Sequence, residues 1–309
     1  MELQSLKYFL AVVDAGSFSA AARSQNITQP ALTKRVRLLE EELGVRLFDR
    51  LPRGVSTTSY GEALAGHARL IRSEVENASA DIDSLRGARA GHVRIGAGPS
   101  WGSDLLPRAI ERVHRDRPEI QFFVRQLPED RLFPALCDGE LDIVVGVVPP
   151  PAGFENLEST TLISDQTNVV AHTDHPLTRK SRVRLADLLE YPWVLPSHLT
   201  MIRNVFDQLF HIGGLNPPKP VLESDPLVIR LALPRYGNFL TFTASQNLVE
   251  FGIGSLVSLN VPECSWQRNA GISVRSSGHL SPAARRLITE LEQVCSETPH
   301  SAVNTGSRT

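Results

Sequence analysis

The stretch from Ser19 to Leu43 constrains the fold of this 309-residue chain more than any other, because it has the pattern of two short helices joined by a tight turn. Ser19 is a good N-cap for an alanine-rich first helix, and Asn26 tolerates the left-handed conformation that ends it. Thr28 can cap the second helix, whose apolar residues recur at spacings of 4, 3 and 4. We expect those residues to form one continuous buried stripe: Leu32, Val36, Leu39 and Leu43.

The opposite face of this second helix is polar and basic. It carries Gln29, Pro30, Thr33, Lys34 and Arg37. Gln and Lys side chains can reach base edges in the major groove of DNA, whereas Thr and Arg can contact bases or phosphates. A plain solvated face is the alternative. The short preceding helix, the tight turn and a basic hairpin nearby favour DNA contact.

The elements on either side complete a small N-terminal module. Residues 2–15 form a predicted amphipathic helix that ends at Gly16, and a hairpin is predicted at 45–58 around the turn composition Pro52-Arg53-Gly54. Arg50 and Arg53 would project from this wing towards phosphates or a minor groove. The whole chain has a net charge of -2, but residues 1–58 hold eight basic and six acidic side chains. A mildly basic module therefore precedes an acidic body.

A long helix is predicted from Ser59, where Ser59-Tyr60-Gly61-Glu62 has the pattern of a capping box, to about Arg89. Its apolar residues alternate at spacings of 4 and 3: Leu64, Ala68, Ile71, Val75, Ala78, Ile82 and Leu85. So narrow a stripe favours a coiled-coil dimer, and a helix lying on its own domain is the alternative. A dimer would let two recognition helices read two half-sites.

Beyond a predicted hinge at residues 87–91, strands and helices alternate, which predicts a mostly parallel sheet covered by helices. The predicted strands lie at 93–97, 120–125, 141–147, 167–171, 193–195, 220–222, 239–242, 256–259 and 272–275. The predicted helices lie at 105–115, 132–136, 185–189, 201–212, 226–233, 245–251 and 281–297. Residues 298–309 are polar and predicted to be disordered.

Ligands of open α/β sheets collect where strands end and helices begin. Two such places stand out, residues 98–103 and residues 196–201, so we expect a small organic anion with an apolar or aromatic body between them. The predicted contacts are Gly98, Pro99, Ser100, Trp101, Val147, Ser197, His198, Thr200 and Phe242, with Gln166 and Arg203 as further candidates. A core position for Trp101, a surface position for His198 and simple capping roles for the serines are the alternatives.

No catalytic or metal-binding constellation emerges from the chain. A Gly-x-x-x-x-Gly-Lys loop and a His-Glu-x-x-His motif are absent, the nine histidines are scattered, and Cys137, Cys264 and Cys295 lie far apart. We therefore expect no cofactor and a reducing compartment. No apolar run approaches the roughly 18 to 20 residues of a membrane span, and no signal peptide is recognisable, so a cytoplasmic location without a membrane partner is expected.

The N-terminal module of the chain resembles the LysR-type transcriptional regulators, and the size and order of everything after it agree with that family. The resemblance rests on Leu6, Phe9, Ala20-Ala21-Ala22, Thr28-Gln29-Pro30-Ala31-Leu32-Thr33, Leu39-Glu40-Glu41-Glu42-Leu43-Gly44, Leu47-Phe48-Asp49-Arg50 and Arg53-Gly54-Val55. It implies a winged helix-turn-helix at 1–58, in which the residues matching Gln29, Pro30, Thr33 and Lys34 meet bases and those matching Arg50 and Arg53 lie in the wing. It also implies a linker and dimerisation helix at 59–90.

The resemblance further implies an effector-binding domain at 91–309 with two lobes, like a periplasmic binding protein. Lobe I would comprise 91–161 and 268–297, lobe II 162–267, and a disordered tail 298–309. We expect a homodimer or homotetramer that binds double-stranded DNA, responds to a small-molecule effector and alters the access of RNA polymerase. An enzyme with an accessory DNA-binding tail lacks catalytic groups here, and an architectural DNA-bending protein needs stronger positive charge.

Overall fold

The computed structural model describes residues 1–51, 54–85, 91–127, 129–150, 152–198, 200–250 and 254–298. Its α-helices are α1 Leu3–Ala15, α2 Phe18–Ser24, α3 Gln29–Leu43, α4 Ser59–Leu85, α5 Leu105–Asp116, α6 Glu129–Cys137, α7 Met201–Ile212, α8 Leu227–Ala232, α9 Ser245–Glu250 and α10 Pro282–Glu297. Its strands are β1 Phe48–Leu51, β2 Gly54–Thr57, β3 Gly91–Ala97, β4 Ile120–Gln126, β5 Ile143–Val147, β6 Leu157–His172, β7 Trp193–Leu195, β8 Pro220–Glu223, β9 Thr241–Ala244, β10 Leu256–Ser258 and β11 Trp266–Arg275. The predicted hinge at 87–90 and the predicted tail from 299 onwards lie outside the described residues.

The winged module forms as its sequence pattern predicts, with different caps. Gly16 ends α1 in the left-handed conformation (φ 58°), and Asn26 has φ 53° in the turn between α2 and α3. The predicted cap Ser19 is wrong, because Phe18 is already helical and Ser17 Oγ accepts from the Ala20 N–H instead. Thr28 precedes α3 without a side-chain capping bond.

One end of the predicted stripe on α3 differs from the prediction. Leu32, Val36 and Leu39 are buried among α1, α2 and the wing, but Leu43 is 39% exposed at the end of the helix. Gly44 adopts a left-handed conformation immediately after it and ends the helix there. The buried part of the stripe suffices to hold α3 against the small core around Phe9.

The linker helix α4 packs on the winged module at its N-terminal end. Thr58 rather than Ser59 caps it, since Thr58 Oγ1 accepts from the Gly61 N–H at 3.1 Å. Ala68 is fully buried, but further along the same stripe Val75 is 45% and Ile82 56% exposed. Within one subunit the stripe is therefore buried near the N-terminal end of α4 and exposed further along.

The large sheet is mixed rather than mostly parallel. Its strand order is β10-β6-β11-β5-β3-β4, with β9 also paired to β6. β3 runs parallel to β4 and β5, whereas the long strands β6 and β11 are antiparallel to each other and to their other neighbours. The sequence predicted only the C-terminal part of each of these two strands, at 167–171 and 272–275. A strand with one solvated face lacks the continuous apolar run of a parallel strand that is buried on both faces.

Two hydrophobic cores lie along β6 and β11. The first joins β3 and β5 to α5 and α10, so the C-terminal helix returns to the first part of the body. The second gathers aromatic side chains of β7, α7 and β9: Trp193, Phe206, Phe210 and Phe242. The lobe boundaries at 161/162 and 267/268 stay a prediction. Among the described residues, no helix has the length and apolar character needed to cross a bilayer.

Candidate DNA interface and ligand cavity

The predicted reading face lies on the solvent side of α3. Gln29, Pro30, Lys34 and Arg37 are exposed, and Thr33 is half-buried. These positions lie outside the buried stripe, so the packing of α3 leaves their side chains wholly or partly accessible to solvent.

Two side chains of this interface already have neighbours. Ser19 Oγ donates to Gln29 Oε1 at 2.9 Å, which leaves the Gln29 amide N–H groups available for an outside acceptor. Arg37 Nε lies 3.2 Å from Glu41 Oε1 in an exposed pair one helical turn apart. An exposed pair of this kind is worth little, so a phosphate can replace the carboxylate.

The wing lies next to the end of α1. β1 and β2 pair antiparallel with Arg50 opposite Val55, and the Val55 N–H donates to Gly16 O at 3.0 Å. Gly54 makes this approach possible, since a Cβ there would stand 2.6 Å from Gly16 O and its φ is 99°. The Arg50 side chain and Arg53 lie outside the described residues, so their predicted DNA contacts stay predictions.

A cavity opens between the loop after β3, the start of α7 and the β9–α9 corner. It holds about 1030 Å³ of empty space, including its mouth to solvent. Six predicted ligand contacts line it: Gly98, Pro99, Ser100, Val147, Thr200 and Phe242. The structure thus brings together, in one concave site, residues that lie far apart in the sequence.

The other predicted contacts are placed elsewhere. Trp101 is 1% exposed in the core beneath α5, because the chain turns inward after Ser100. Ser197 and His198 do not line the cavity; the Ser197 N–H donates to Asp225, and the His198 side chain is 69% exposed beside Glu223. For His198 the surface alternative is therefore the one observed.

Both further candidates have other roles. Gln166 is exposed on β6 outside the cavity. Arg203 is buried and braces the loop before α7, with Nε donating to Asp207 at 2.8 Å and Nη1 donating to Pro196 O at 3.1 Å. Thr200 is the N-cap of α7, because its Oγ1 accepts from the Arg203 N–H.

Three buried polar side chains of the cavity escaped the sequence analysis. Arg268 Nη1 donates to Ser100 Oγ at 3.1 Å, and Nη2 lies 3.8 Å from Asp165 Oδ2. Arg230 is 5% and Asn247 3% exposed. A signal for Arg230 existed, because it is the one charged residue within Leu227–Ala232, an otherwise apolar helix. Arg268 lies on a strand whose length the sequence did not reveal.

The remaining wall of the cavity is largely apolar. It includes Leu127, Leu132, Phe133, Ile202 and Leu227. Two guanidinium groups beside such a wall suit an anionic group attached to an apolar body. Among the described residues, no three His, Cys, Asp or Glu side chains group as metal ligands would.

One catalytic pattern does occur in the chain, contrary to the expectation that it has none: residues 98–102 match the Gly-x-Ser-x-Gly pattern of a nucleophile elbow. The geometry is different from that of an elbow, because seven residues separate β3 from α5. Ser100 Oγ also receives its hydrogen bond from Arg268, and a guanidinium cannot act as a general base. The serine is therefore not activated for nucleophilic attack by this partner.

The comparisons with known proteins decide the family. The profile of the bacterial regulatory helix-turn-helix protein, lysR family, matches residues 3–62, and that of the LysR substrate binding domain matches residues 86–296. The chain belongs to the LysR family of transcriptional regulators. It is a DNA-binding transcriptional regulator with an effector-binding domain, and the family consists of regulators rather than enzymes.

Two relatives and one solved structure illustrate the match. The HTH-type transcriptional regulator GalR of Pseudomonas putida is 30% identical over 96% of this chain and 75% of its own length. The HTH-type transcriptional regulator GbpR of Azospirillum brasilense is 31% identical over 94% and 86%. Full-length OxyR from Pseudomonas aeruginosa, solved as a cysteine-to-aspartate variant, is 21% identical and has the same fold, with a TM-score of 0.70 over 97% of this chain and 96% of that chain. The family and fold class predicted from the sequence are confirmed.

Proposed function

We propose that this LysR-type regulator senses a small organic anion in the cavity between the loop after β3, the start of α7 and the β9–α9 corner, and reads operator half-sites with α3. The observation that carries the proposal is a pair of arginines on one cavity with an apolar wall: Arg230, which is 5% exposed, and Arg268, whose side chain is 8% exposed. A buried arginine favours an anion because the anion replaces lost hydration with charge-assisted hydrogen bonds.

The DNA contacts follow from the exposed face of α3 and from the wing. Gln29, Pro30, Thr33 and Lys34 would meet base edges, because they lie on the outward face at or near the N-terminal end of α3. Arg37, Arg50 and Arg53 would contact phosphates and so supply the salt-dependent part of the affinity. The two sets would affect specificity and salt dependence separately.

A second copy of the chain would cover the exposed part of α4. Val75 and Ile82 are exposed on its stripe, and a groove between α1 and α4 is lined by apolar residues that include Leu3, Leu6 and Ile71. A homodimer through α4 would bury these side chains. A further pairing into a homotetramer would use the edge strand β4, where Phe123 is 53% and Val124 48% exposed.

Ligand binding would act by changing the arrangement of the subunits. An effector shifts such an equilibrium only as far as its affinities for the two arrangements differ. The change in spacing or bend on DNA would then alter the access of RNA polymerase to the promoter. The protein would work in the cytoplasm, where the DNA is.

Footprinting of the full-length protein tests this mechanism. An operator selected from random DNA would be footprinted without and with each organic acid of a panel that stabilises the protein thermally. We expect the protected region or its hypersensitive positions to change, and Arg268→Gln to abolish the change while Arg182→Gln, an exposed arginine paired with Glu263, retains it. A footprint that stays the same at saturating ligand would refute the mechanism.

A further inference from the structure

Asn247 has a position in the cavity that its sequence context did not reveal. It lies in the first turn of α9, directly after β9, and is 3% exposed while lining the cavity. Asn247 Nδ2 donates to Thr243 Oγ1 at 2.6 Å. This bond holds the side-chain amide in one orientation.

The other end of this amide is an unused acceptor. Asn247 Oδ1 is buried and has no hydrogen-bond partner within the part of the chain that the structure describes. Buried polar atoms are nearly always paired, and an unpaired one destabilises the fold. A ligand that donates a hydrogen bond to Oδ1 would remove this cost.

The remaining polar groups indicate how such a ligand would lie. Ser100 and Arg268 are joined by a hydrogen bond, and both can donate to an anion. Thr200 is already engaged, since its Oγ1 donates to Ser197 O and accepts from the Arg203 N–H. An amide oxygen repels a carboxylate, so the anionic end belongs at the arginines and a donor group belongs at Asn247.

We propose that Asn247 determines the specificity of the cavity, and that the effector is an organic acid carrying a hydroxyl or N–H group in addition to its carboxylate. This inference rests on the proposed function, because it assumes that the anion binds in this cavity. A site that hydrogen-bonds a ligand hydroxyl rejects the analogue without it, since its own buried polar atom is then left unpaired. The apolar wall alone could not make this distinction.

The test is isothermal titration of the full-length protein with matched acids, preceded by a thermal-shift screen of organic acids with and without donor groups. The pairs are benzoate with 3- and 4-hydroxybenzoate, cyclohexanecarboxylate with its 4-hydroxy analogue, and hexanoate with 6-hydroxyhexanoate. We expect a hydroxylated member to bind at least ~10-fold more tightly than its parent. The corresponding methoxy acids, which accept but do not donate, should show no such gain.

Variants of Asn247 test whether this residue causes the preference for hydroxylated acids. Asn247→Leu should bring the affinities of each pair together, whereas Asn247→Asp keeps an acceptor and should retain the preference at lower overall affinity. Asn260→Leu is the control, because Asn260 is exposed and its amide contacts Ser181 O outside the cavity. Thermal melts establish whether each variant folds. If Asn247→Leu does not fold, the affinities measured with Asn247→Asp test the role of Asn247 instead.

The possible failures are distinguishable. Equal binding of both members of every pair, with loss of binding in Arg268→Gln, would overturn the role of Asn247 and leave the anion cavity intact. A hydroxyl preference that persists in Asn247→Leu, or a preference for methoxy acids, would also overturn it. No binding by any acid, or binding that Arg268→Gln leaves unchanged, would overturn the anion cavity and this inference together.

Discussion

Arg69 Nε lies 3.0 Å from Glu140 Oε1, so an ion pair ties the linker helix to the loop between α6 and β5. The same guanidinium lies 3.5 Å from Asp138 and 3.2 Å from Asp14, which belongs to α1. This one side chain of the linker helix, 17% exposed, therefore contacts both the winged module and the effector-binding domain. Arg69 therefore connects the effector-binding domain to the winged module.

A second contact of the same kind lies one to two turns further along α4, at Ser73 and Glu76. Arg94 Nη2 donates to Asp142 Oδ1 at 2.7 Å and to Ser73 Oγ at 2.9 Å, while Nη1 lies 3.4 Å from Glu76 Oε2. Burial lowers the pKa of Arg94, but the hydrogen bond and charge of Asp142 and the charge of Glu76 leave the pKa raised. Arg94 thus stays charged and keeps β3 attached to the linker helix.

We predict that Arg69→Met loosens the attachment of the linker helix to Asp14, Asp138 and Glu140 without unfolding the winged module. Each partly exposed pair contributes about 0.2 to 1 kcal/mol, and the substitution also leaves three carboxylates close together. Amide hydrogens around residues 68–77 should exchange faster, and the effect of a bound acid on DNA affinity should weaken. Arg72→Met is the control, because Arg72 is more exposed and lies 3.9 Å from its partner Glu76. Equal exchange in the two variants would contradict the role given to Arg69.

Gln29→Ala should relax the preference for one base pair of the operator, because a glutamine that bonds an adenine edge contributes about 1 to 3 kcal/mol of discrimination. Ser19→Ala should reduce the same preference to a lesser extent, since Ser19 orients the Gln29 amide. Competition binding with each single-base operator variant measures both effects. Arg37→Gln serves as the contrast, because it should lower the salt slope by about one and leave the base preference intact. If Gln29→Ala instead lowered the affinity for all operator variants equally, Gln29 would not contact a base.

The winged module was predictable because its signals are local. The helical period of α3, the left-handed Asn26 and the turn of the wing each lie within a few residues of the structure they specify. The cavity was predictable only in part. Pro99 and Thr200 follow strand ends, which a sequence reveals, whereas Arg268 and Asn247 reach the cavity through the pairing of β6 with β11 and β9.

Trp101 illustrates the limit of reasoning from neighbours. It follows Ser100 directly, yet its side chain enters the core while Ser100 faces the cavity. Which way a loop side chain turns depends on the packing of α5 and α10 beneath it, and that packing joins residues that are 170 and 185 positions apart in two of its hydrogen-bonded pairs. A pattern within a few residues cannot contain this information.

Gly271→Ala should disrupt the pairing of the two long strands β6 and β11. A Cβ at Gly271 would stand 1.9 Å from Thr160 O, in the backbone of β6, where the register of β11 shifts. Because the obstacle is backbone, relief requires the strands to separate, at a cost of about 3 kcal/mol or more. Thermal melts of the variant should show a clear fall in the transition of the effector-binding domain. Gly102→Ala is the control: a Cβ at Gly102 meets nothing within 4 Å, so this variant should leave the melting temperature of the effector-binding domain unchanged.

Thiol reactivity should distinguish the three cysteines by their burial. Burial raises the pKa of Cys264 to about 12 and also raises the pKa of the half-buried Cys137, while Cys295 is 2% exposed. The thiolate is the reactive form, so a raised pKa means less thiolate at any pH below it. At pH 8 the native protein should therefore titrate at most one thiol with Ellman's reagent, slowly, and Cys137→Ser should remove it. In guanidinium chloride all three should react at the rate of free cysteine, because unfolding abolishes the burial. Two fast-reacting thiols in the native protein would show that one of the two hydrophobic cores, the first with Cys295 or the second with Cys264, opens far more readily than its packing indicates.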